Sequence, residues 1–309
     1  MGRKRKLFLG NQSIGGTKVS KSRRVARLVT SQYHLLRNQI QVLENDATIS
    51  KEEKEKQILK LREELESMGG IDKYQQASIV TTSHFKTSKY FIETLEKMNK
   101  KPNSGRSKDK LKTLEVGAIN IQLQMCPWLD VLAIDIHSQH PKIVEIDFFN
   151  INPLFDYQVI ICSMVVNCVT EAVKRGEMLC RLACHLLPTE GVLFLTLPLR
   201  CIESSALGTD AFEFFLSCIG LEKVLPNKLT PKLIFYTLKS TLSAPKSKSL
   251  GDNDNDDKEL WKAVIRAQLK LSCSDQESKI KMIAGFGESK IKKEDPKIFT
   301  ICLSHELLS

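Results

Sequence analysis

No apolar run in this sequence approaches the roughly 18 residues of a membrane span. Its opening residues, Met1-Gly2-Arg3-Lys4-Arg5-Lys6, lack the apolar centre of a signal peptide. A protein outside membranes is therefore expected. Nine cysteines occur without one C-x-x-C pair, which argues against a zinc ribbon or a redox motif. Most of them, such as Cys126, Cys162, Cys168 and Cys180, lie in apolar segments and read as small buried thiols of a reducing compartment. The dinucleotide fingerprint G-x-G-x-x-G is missing. Residues 1–24 hold no acidic residue at all.

What is present is a basic chain of 309 residues with net charge +10, 42% of it hydrophobic. That length allows one large domain with appendages or two small domains. The charge points to an anionic partner such as nucleic acid.

The chain is organised around Leu114-Glu115-Val116-Gly117-Ala118-Ile119-Asn120. The apolar run Leu111–Val116 ends in a glycine, and two further runs end in aspartates: Val131-Leu132-Ala133-Ile134-Asp135 and Ile143-Val144-Glu145-Ile146-Asp147. A strand, a glycine turn and an acid at the tip of the next strand form the plan of a nucleotide-type site in a parallel sheet. The glycine allows close approach of the backbone to a ligand, and Asp135 is placed to accept hydrogen bonds from two ribose hydroxyls. For Gly117 alone, an ordinary strand ending in a turn is the competing reading. Asp147 would bind the amino group of an adenine with Phe148 flanking its ring; plain core packing is the rival for Phe148. The histidines of His137-Ser138-Gln139-His140-Pro141 have no third ligand nearby, so no metal is expected.

Residues 1–24 carry Arg3, Lys4, Arg5, Lys6, Lys18, Lys21, Arg23 and Arg24, with Gly10, Gly15 and Gly16 among them, and read as a flexible basic arm. Such an arm contacts phosphates, serves as a nuclear address, or merely solubilises. Residues 25–70 read as a helical hairpin. Val25, Leu28, Val29, Leu36, Ile40 and Leu43 form one stripe, and Ile58, Leu61, Leu65 and Met68 a second. Ser50 and Glu53 stand in capping-box positions, and Gly69-Gly70 ends the second helix. Further helices over 71–98 offer Tyr74, Phe85, Tyr90, Phe91 and Leu95 as core, and Lys97–Lys112 is a basic loop.

Gln158–Cys162 is a fourth strand, with Ser163 and Asn167 as the polar groups at its carboxyl end, the edge where open α/β sheets bind ligands. A long helix over Val169–Leu187, a fifth strand over Gly191–Leu197, a helix over Phe212–Ile219 and a hairpin of Leu221–Leu225 with Lys232–Leu238 complete a seven-stranded α/β sheet. Residues 240–309 read as a mostly mobile tail, because Ser240–Lys248 is rich in Ser, Lys and Pro and Gly251–Asp257 is acidic. Trp261–Leu271 is a possible helix there, and Phe299–Leu303 a possible edge strand.

The order strand–glycine, strand–Asp, strand–Asp-Phe, strand–Ser and terminal hairpin resembles a Rossmann-like S-adenosyl-L-methionine-dependent methyltransferase. Ile134-Asp135-Ile136-His137-Ser138-Gln139-His140-Pro141, Ser163–Val169 and Arg175-Gly176-Glu177-Met178-Leu179 sharpen the likeness. With Leu114-Glu115-Val116-Gly117, they resemble the nucleolar family that methylates adenine N1 in large-subunit ribosomal RNA. The resemblance implies a class I methyltransferase sheet over residues 71–239 with an N-terminal helical extension. It also implies location in the nucleus and nucleolus, ribosomal RNA or the pre-ribosome as partner, and a monomer. It places Gly117 against the methionine part of the cofactor, Asp135 on the ribose, Asp147 and the Phe148 backbone on the adenine, and Ser163 at the tip of the fourth strand. Ala118-Ile119-Asn120 replaces the usual glycine-rich continuation. Metazoan relatives act as S-adenosylmethionine sensors, so a non-catalytic sensor working through protein partners is the alternative.

No Asn-Pro-Pro-Tyr type motif follows the fourth strand, which speaks against methylation of an exocyclic adenine amine. Neutral adenine N1 has a free lone pair and needs no base before attack; it needs to be unpaired and held in line with the methyl group. Polar positioning groups suffice for that, with Asn167 the leading candidate.

Overall fold

The computed structural model describes residues 19–46, 48–82, 87–102, 110–138, 140–203, 208–243, 254–272, 301 and 303–308. It divides into two compact units, Met1–Phe85 and Lys86–Ser309. Residues 1–18 of the basic arm, Phe85 and the loop residues 103–109 lie outside the described residues, as do the side chains of 19–24.

The first unit holds three helices, α1 (Val19–Asn45), α2 (Lys51–Ser67) and α3 (Gly70–Thr82). Ser50 caps α2 by accepting the Glu53 N–H at 3.3 Å. The two stripes meet: Leu36, Ile40 and Leu65 are buried among Tyr33, Ile58, Leu61 and Met68. Val25 and Leu28, at the outer end of the first stripe, remain 58% and 61% exposed. Gly69 and Gly70 have φ of +95° and +56°, the left-handed turn that ends α2. The chain does not leave the unit there, as a hairpin ending at residue 70 would require. Instead α3 returns along α1, with Tyr74 stacked on Tyr33 at 4.3 Å and its hydroxyl 3.3 Å from His34 Nε2. Among the described side chains of α3, Tyr74 makes this aromatic contact and Ala77 is buried.

The second unit is built on an eight-stranded sheet in the order β3-β2-β1-β4-β5-β8-β6, with the short β7 paired to β8. The strands are β1 (Leu111–Val116), β2 (Leu129–Asp135), β3 (Val144–Glu145), β4 (Val159–Ser163), β5 (Val192–Pro198), β6 (Leu221–Lys223), β7 (Lys228–Leu229) and β8 (Leu233–Ser240). β1 to β5 run parallel, and β8 is antiparallel to β5 and β6. Both faces are covered, which is why β4 and β5 are continuous apolar runs, not alternating ones. On one face Leu114, Ile160, Leu193 and Leu195 pack with Leu179 and Leu182 of α5 (Ala172–His185) and Phe215 of α7 (Gly208–Cys218), which follows the short α6 (Leu199–Glu203). On the other, Ile161 and Phe194 pack with Phe91 and Leu95 of α4 (Thr87–Lys97).

Three expectations change here. The sheet has an eighth strand, because Lys228–Leu229 pairs with Ile234 and Phe235 inside the closing hairpin. The helix expected at Trp261–Leu271 is present and longer, as α8 (Asp254–Ser272), and far from being part of a mobile stretch it buries Trp261, Ile265 and Leu269 in the main core. Ile301 and Leu303 are also buried there, yet neither is in a strand, and α9 (His305–Leu308) follows; Phe299, Thr300 and Cys302 lie outside the described residues. Of the cysteines expected to be buried, Cys126, Cys162 and Cys180 are, and Cys168 is exposed. Burial pushes the Cys162 thiol up to about 12, so it behaves as a small apolar group.

Candidate active site

The strand order reverses between β1 and β4, which places the carboxyl ends of these strands at the crevice where open α/β sheets take ligands. Register brings the expected residues to that edge. Val116 lies opposite Cys162 and Ile134, so Gly117, Asp135 and Ser163 follow one another across β1, β2 and β4. The N–H groups of Gly117 and Ala118 both donate to the Ile134 carbonyl at 2.9 Å, which ties the turn to β2. Gly117 has φ +74°, and a Cβ there would lie 2.3 Å from Val165 Cγ2. The glycine is thus required by the backbone conformation and by Val165 before any ligand is considered.

Asp135 is half-buried, and burial raises its carboxyl pKa although its Oδ1 accepts the His137 N–H at 2.8 Å. The neighbouring loop is held separately: Glu145 accepts the Ser138 N–H at 2.8 Å and stands 3.6 Å from His137 Nδ1. Among the described residues no three His, Cys, Asp or Glu side chains are grouped to hold a metal ion.

Asp147 caps the turn Phe148–Asn150 by accepting the Phe149 N–H at 2.9 Å. Phe148 does not present its ring to a ligand. It is 5% exposed in the main core, with its ring centre 5.2 Å from that of His185. Core packing wins because the residue begins a turn that faces α5, which leaves its ring against His185.

Ser163 ends β4 opposite Thr196, half-buried. Met164 then takes φ +63°, a conformation that costs a residue other than glycine of order 1–3 kcal/mol and gathers at functional sites. Its N–H donates to Thr196 at 2.9 Å. The chain continues as a single turn, Val166–Cys168, pinned by the fully buried Val166. Asn167 sits on this turn. Its Nδ2 donates to Cys168 Sγ at 3.4 Å, and its buried Oδ1 has no protein partner. Arg175 of α5, 8% exposed, donates to the carbonyls of Val169 and Thr170 at 2.8 and 2.9 Å and so anchors the chain beyond Asn167.

One site group was missed as such. Glu115, beside Gly117 and flanked in register by Ala133 and Ile161, has a buried carboxyl raised to about 8 by desolvation, with Oε2 unpaired. The spacing of an acid just before a glycine was visible; that both neighbouring strands bury it was not. Glu115 Oε2 and Asn167 Oδ1 are thus two buried oxygens beside the strand ends that have no protein partner.

A sheet of this order, with its polar groups at the ends of β1, β2 and β4, defines a Rossmann-like class I methyltransferase, whose methyl donor is S-adenosyl-L-methionine. Residues 59–267 match the family described as 25S rRNA (adenine(2142)-N(1))-methyltransferase, Bmt2, and the chain belongs to that family. The 25S rRNA adenine-N(1) methyltransferase of Schizosaccharomyces pombe is 30% identical over 207 residues, spanning 64% of this chain and 73% of that protein. The chain is an S-adenosylmethionine-dependent rRNA adenine-N1 methyltransferase.

Among solved structures, a Burkholderia thailandensis 1,6-didemethyltoxoflavin-N1-methyltransferase with S-adenosylhomocysteine is 12% identical, with TM-score 0.36 over 43% of this chain and 72% of that one. The N-methyltransferase NodS of Bradyrhizobium japonicum is 13% identical, with TM-score 0.34 over 42% and 78%. These likenesses are slight, and the fold is read from the strand order.

Proposed function

We propose that Gly117, Asp135, Asp147, the Phe148 backbone and Ser163 form the cofactor edge, and that Asn167 orients the target adenine. The observation that carries this is the unpaired, buried Oδ1 of Asn167 on a turn fixed by the strained Met164 and by Arg175. Adenine carries its N6 amino donor next to N1. An acceptor at that amino group aims the N1 lone pair, and the bond from Nδ2 to Cys168 sets which way the amide faces. The cofactor supplies an already activated methyl group, so this chain needs no general base. Its task is to hold an unpaired adenine in line, where a misplacement of about 1 Å costs about 10²-fold in rate.

RNA contact is assigned to the first unit. Residues 1–85 hold sixteen basic and nine acidic residues, net +7 of the chain's +10. Arg27 and Arg37 are exposed on α1. Contacts of this kind position a backbone without reading sequence. A ribosomal RNA substrate and the basic arm favour action on the pre-ribosome, in the nucleus and nucleolus. Among the described residues no helix is long and apolar enough to cross a membrane.

The test is methyl transfer to large-subunit rRNA from cells lacking the protein, read as a reverse-transcription stop at the N1-methyl mark. Asn167→Ala should lower kcat about 10²-fold while still binding S-adenosylmethionine. Transfer at the wild-type rate would remove Asn167 from the site.

A further inference from the structure

Outside the catalytic edge, a set of directional contacts gathers on Arg181 of α5. Its side chain is 14% exposed. Nε donates to Glu177 Oε1 at 2.8 Å, and Nη1 donates to the carbonyl of Phe149 at 3.0 Å, with that of Ile151 at 3.5 Å. The guanidinium centre lies 4.9 Å from the ring centre of Trp261 and 5.8 Å from that of Phe149. Lys174 stands 5.0 Å over the same Phe149 ring and donates to Glu177 at 2.8 Å. Burial alone would raise the Glu177 carboxyl. The hydrogen bond from Lys174, with the charge and hydrogen bond of Arg181, outweighs it and leaves Glu177 ionised.

Two features make this more than a surface cluster. Phe149 is held at both ends of its peptide, its N–H by Asp147 and its carbonyl by Arg181. The turn that follows Asp147 therefore has its conformation set from outside β3, which is only two residues long and fixes little by itself. The guanidinium also lies against Trp261, 2% exposed, whose own carbonyl is 3.8 Å from Cys184 Sγ. A planar cation held over an indole and bonded to two carbonyls is a role lysine does not duplicate.

We infer that Arg181 is a positioning residue for the adenine end of the cofactor site, and that α8, through Trp261, keeps it in place. Helix α8 thereby becomes part of cofactor recognition without touching the cofactor. This rests on the reading of Asp147 and the Phe148 backbone as the adenine-binding group.

The test uses the full chain and two ligands, S-adenosylhomocysteine and its inosine counterpart, which has a carbonyl oxygen in place of the 6-amino group. A site built to accept from that amino group rejects the counterpart. Arg181→Met and Trp261→Leu should weaken S-adenosylhomocysteine about tenfold, the loss of one charge-assisted hydrogen bond, and narrow its preference over the inosine form. Arg181→Lys and Trp261→Phe should recover part of both. In turnover the loss should fall on KM for the cofactor more than on kcat. Thermal unfolding of each variant is measured alongside. Where Arg181→Met does not fold, the preference of Arg181→Lys decides in its place.

A role in stability alone would lower the unfolding temperature and leave the preference at its wild-type value, which would overturn the inference. Asp147→Asn, which retains a cap acceptor, separates the two levels. If it leaves the preference intact, the adenine reading fails and the inference with it. If it narrows the preference and the Arg181 variants do not, the inference alone fails.

Discussion

The Cγ2 methyl of Val165 stands 2.3 Å from the point a Cβ on Gly117 would occupy. The glycine after β1 and the segment after β4 therefore interlock across the strand reversal. Gly117→Ala combines this collision with the roughly 1–2 kcal/mol cost of a left-handed conformation for a residue with a side chain. The variant should lose at least that much stability in thermal unfolding. Adding Val165→Ala should restore the collision part and leave the backbone part. A double variant no more stable than the single one would show that Val165 gives way freely.

Glu115 makes stability depend on pH. Its folded-state pKa of about 8 lies above the ordinary 4.5, so the folded protein binds the proton more tightly than the unfolded chain does. Stability should fall as pH rises from about 4.5 and level off above about 8. Glu115→Gln removes this dependence. Its unfolding temperature relative to wild type should be near level at pH 5, climb through pH 7 and reach its full gain above pH 8. An offset that stays constant between pH 5 and 9 would mean that the carboxyl is paired or solvated.

Much of this was legible in the chain, and the reasons differ by element. β4 and β5 announce themselves because strands covered on both faces are near-continuous apolar runs, as Val159–Cys162 and Val192–Leu195 are, and β1 by the glycine that ends it. The third strand, expected over Ile143–Asp147, is present but shortened to Val144–Glu145, and β7, with two residues, is too short to show any period. The position of Asp135 followed from spacing alone. The fate of Phe148 did not: Asp-Phe at a strand end is equally compatible with a ring on a ligand and a ring in the core, and the choice depends on His185, 37 positions away. Trp261 was hidden for a similar reason. An acidic, polar flank suggested solvent, whereas the core that buries it, with Arg181 over its ring, is built from residues far back in the chain.

The first unit ends at residue 85, and that changes how it should be removed. Cutting at 69 would leave α3 without α1, its packing partner through Tyr33 and Tyr74. A chain beginning at residue 86 should bind S-adenosylmethionine within about twofold of the full chain and lose methylation of ribosomal RNA. The full chain's RNA affinity should fall steeply as salt rises, with a log–log slope that shrinks by about 0.7–0.9 for each phosphate contact removed. A truncated chain that keeps its RNA affinity and salt slope would assign RNA contact to the sheet unit.

Calorimetric titration of S-adenosylmethionine into Asp135→Ala tests the cofactor edge most directly. The wild-type carboxylate ends β2 opposite the glycine turn, and a charge-assisted hydrogen bond is worth about 1.5–3 kcal/mol. Affinity should therefore fall by roughly 10- to 150-fold while the unfolding temperature stays close to wild type. A folded Asp135→Ala protein that binds S-adenosylmethionine as tightly as the wild type would contradict the placement of the cofactor across the ends of β1, β2 and β4.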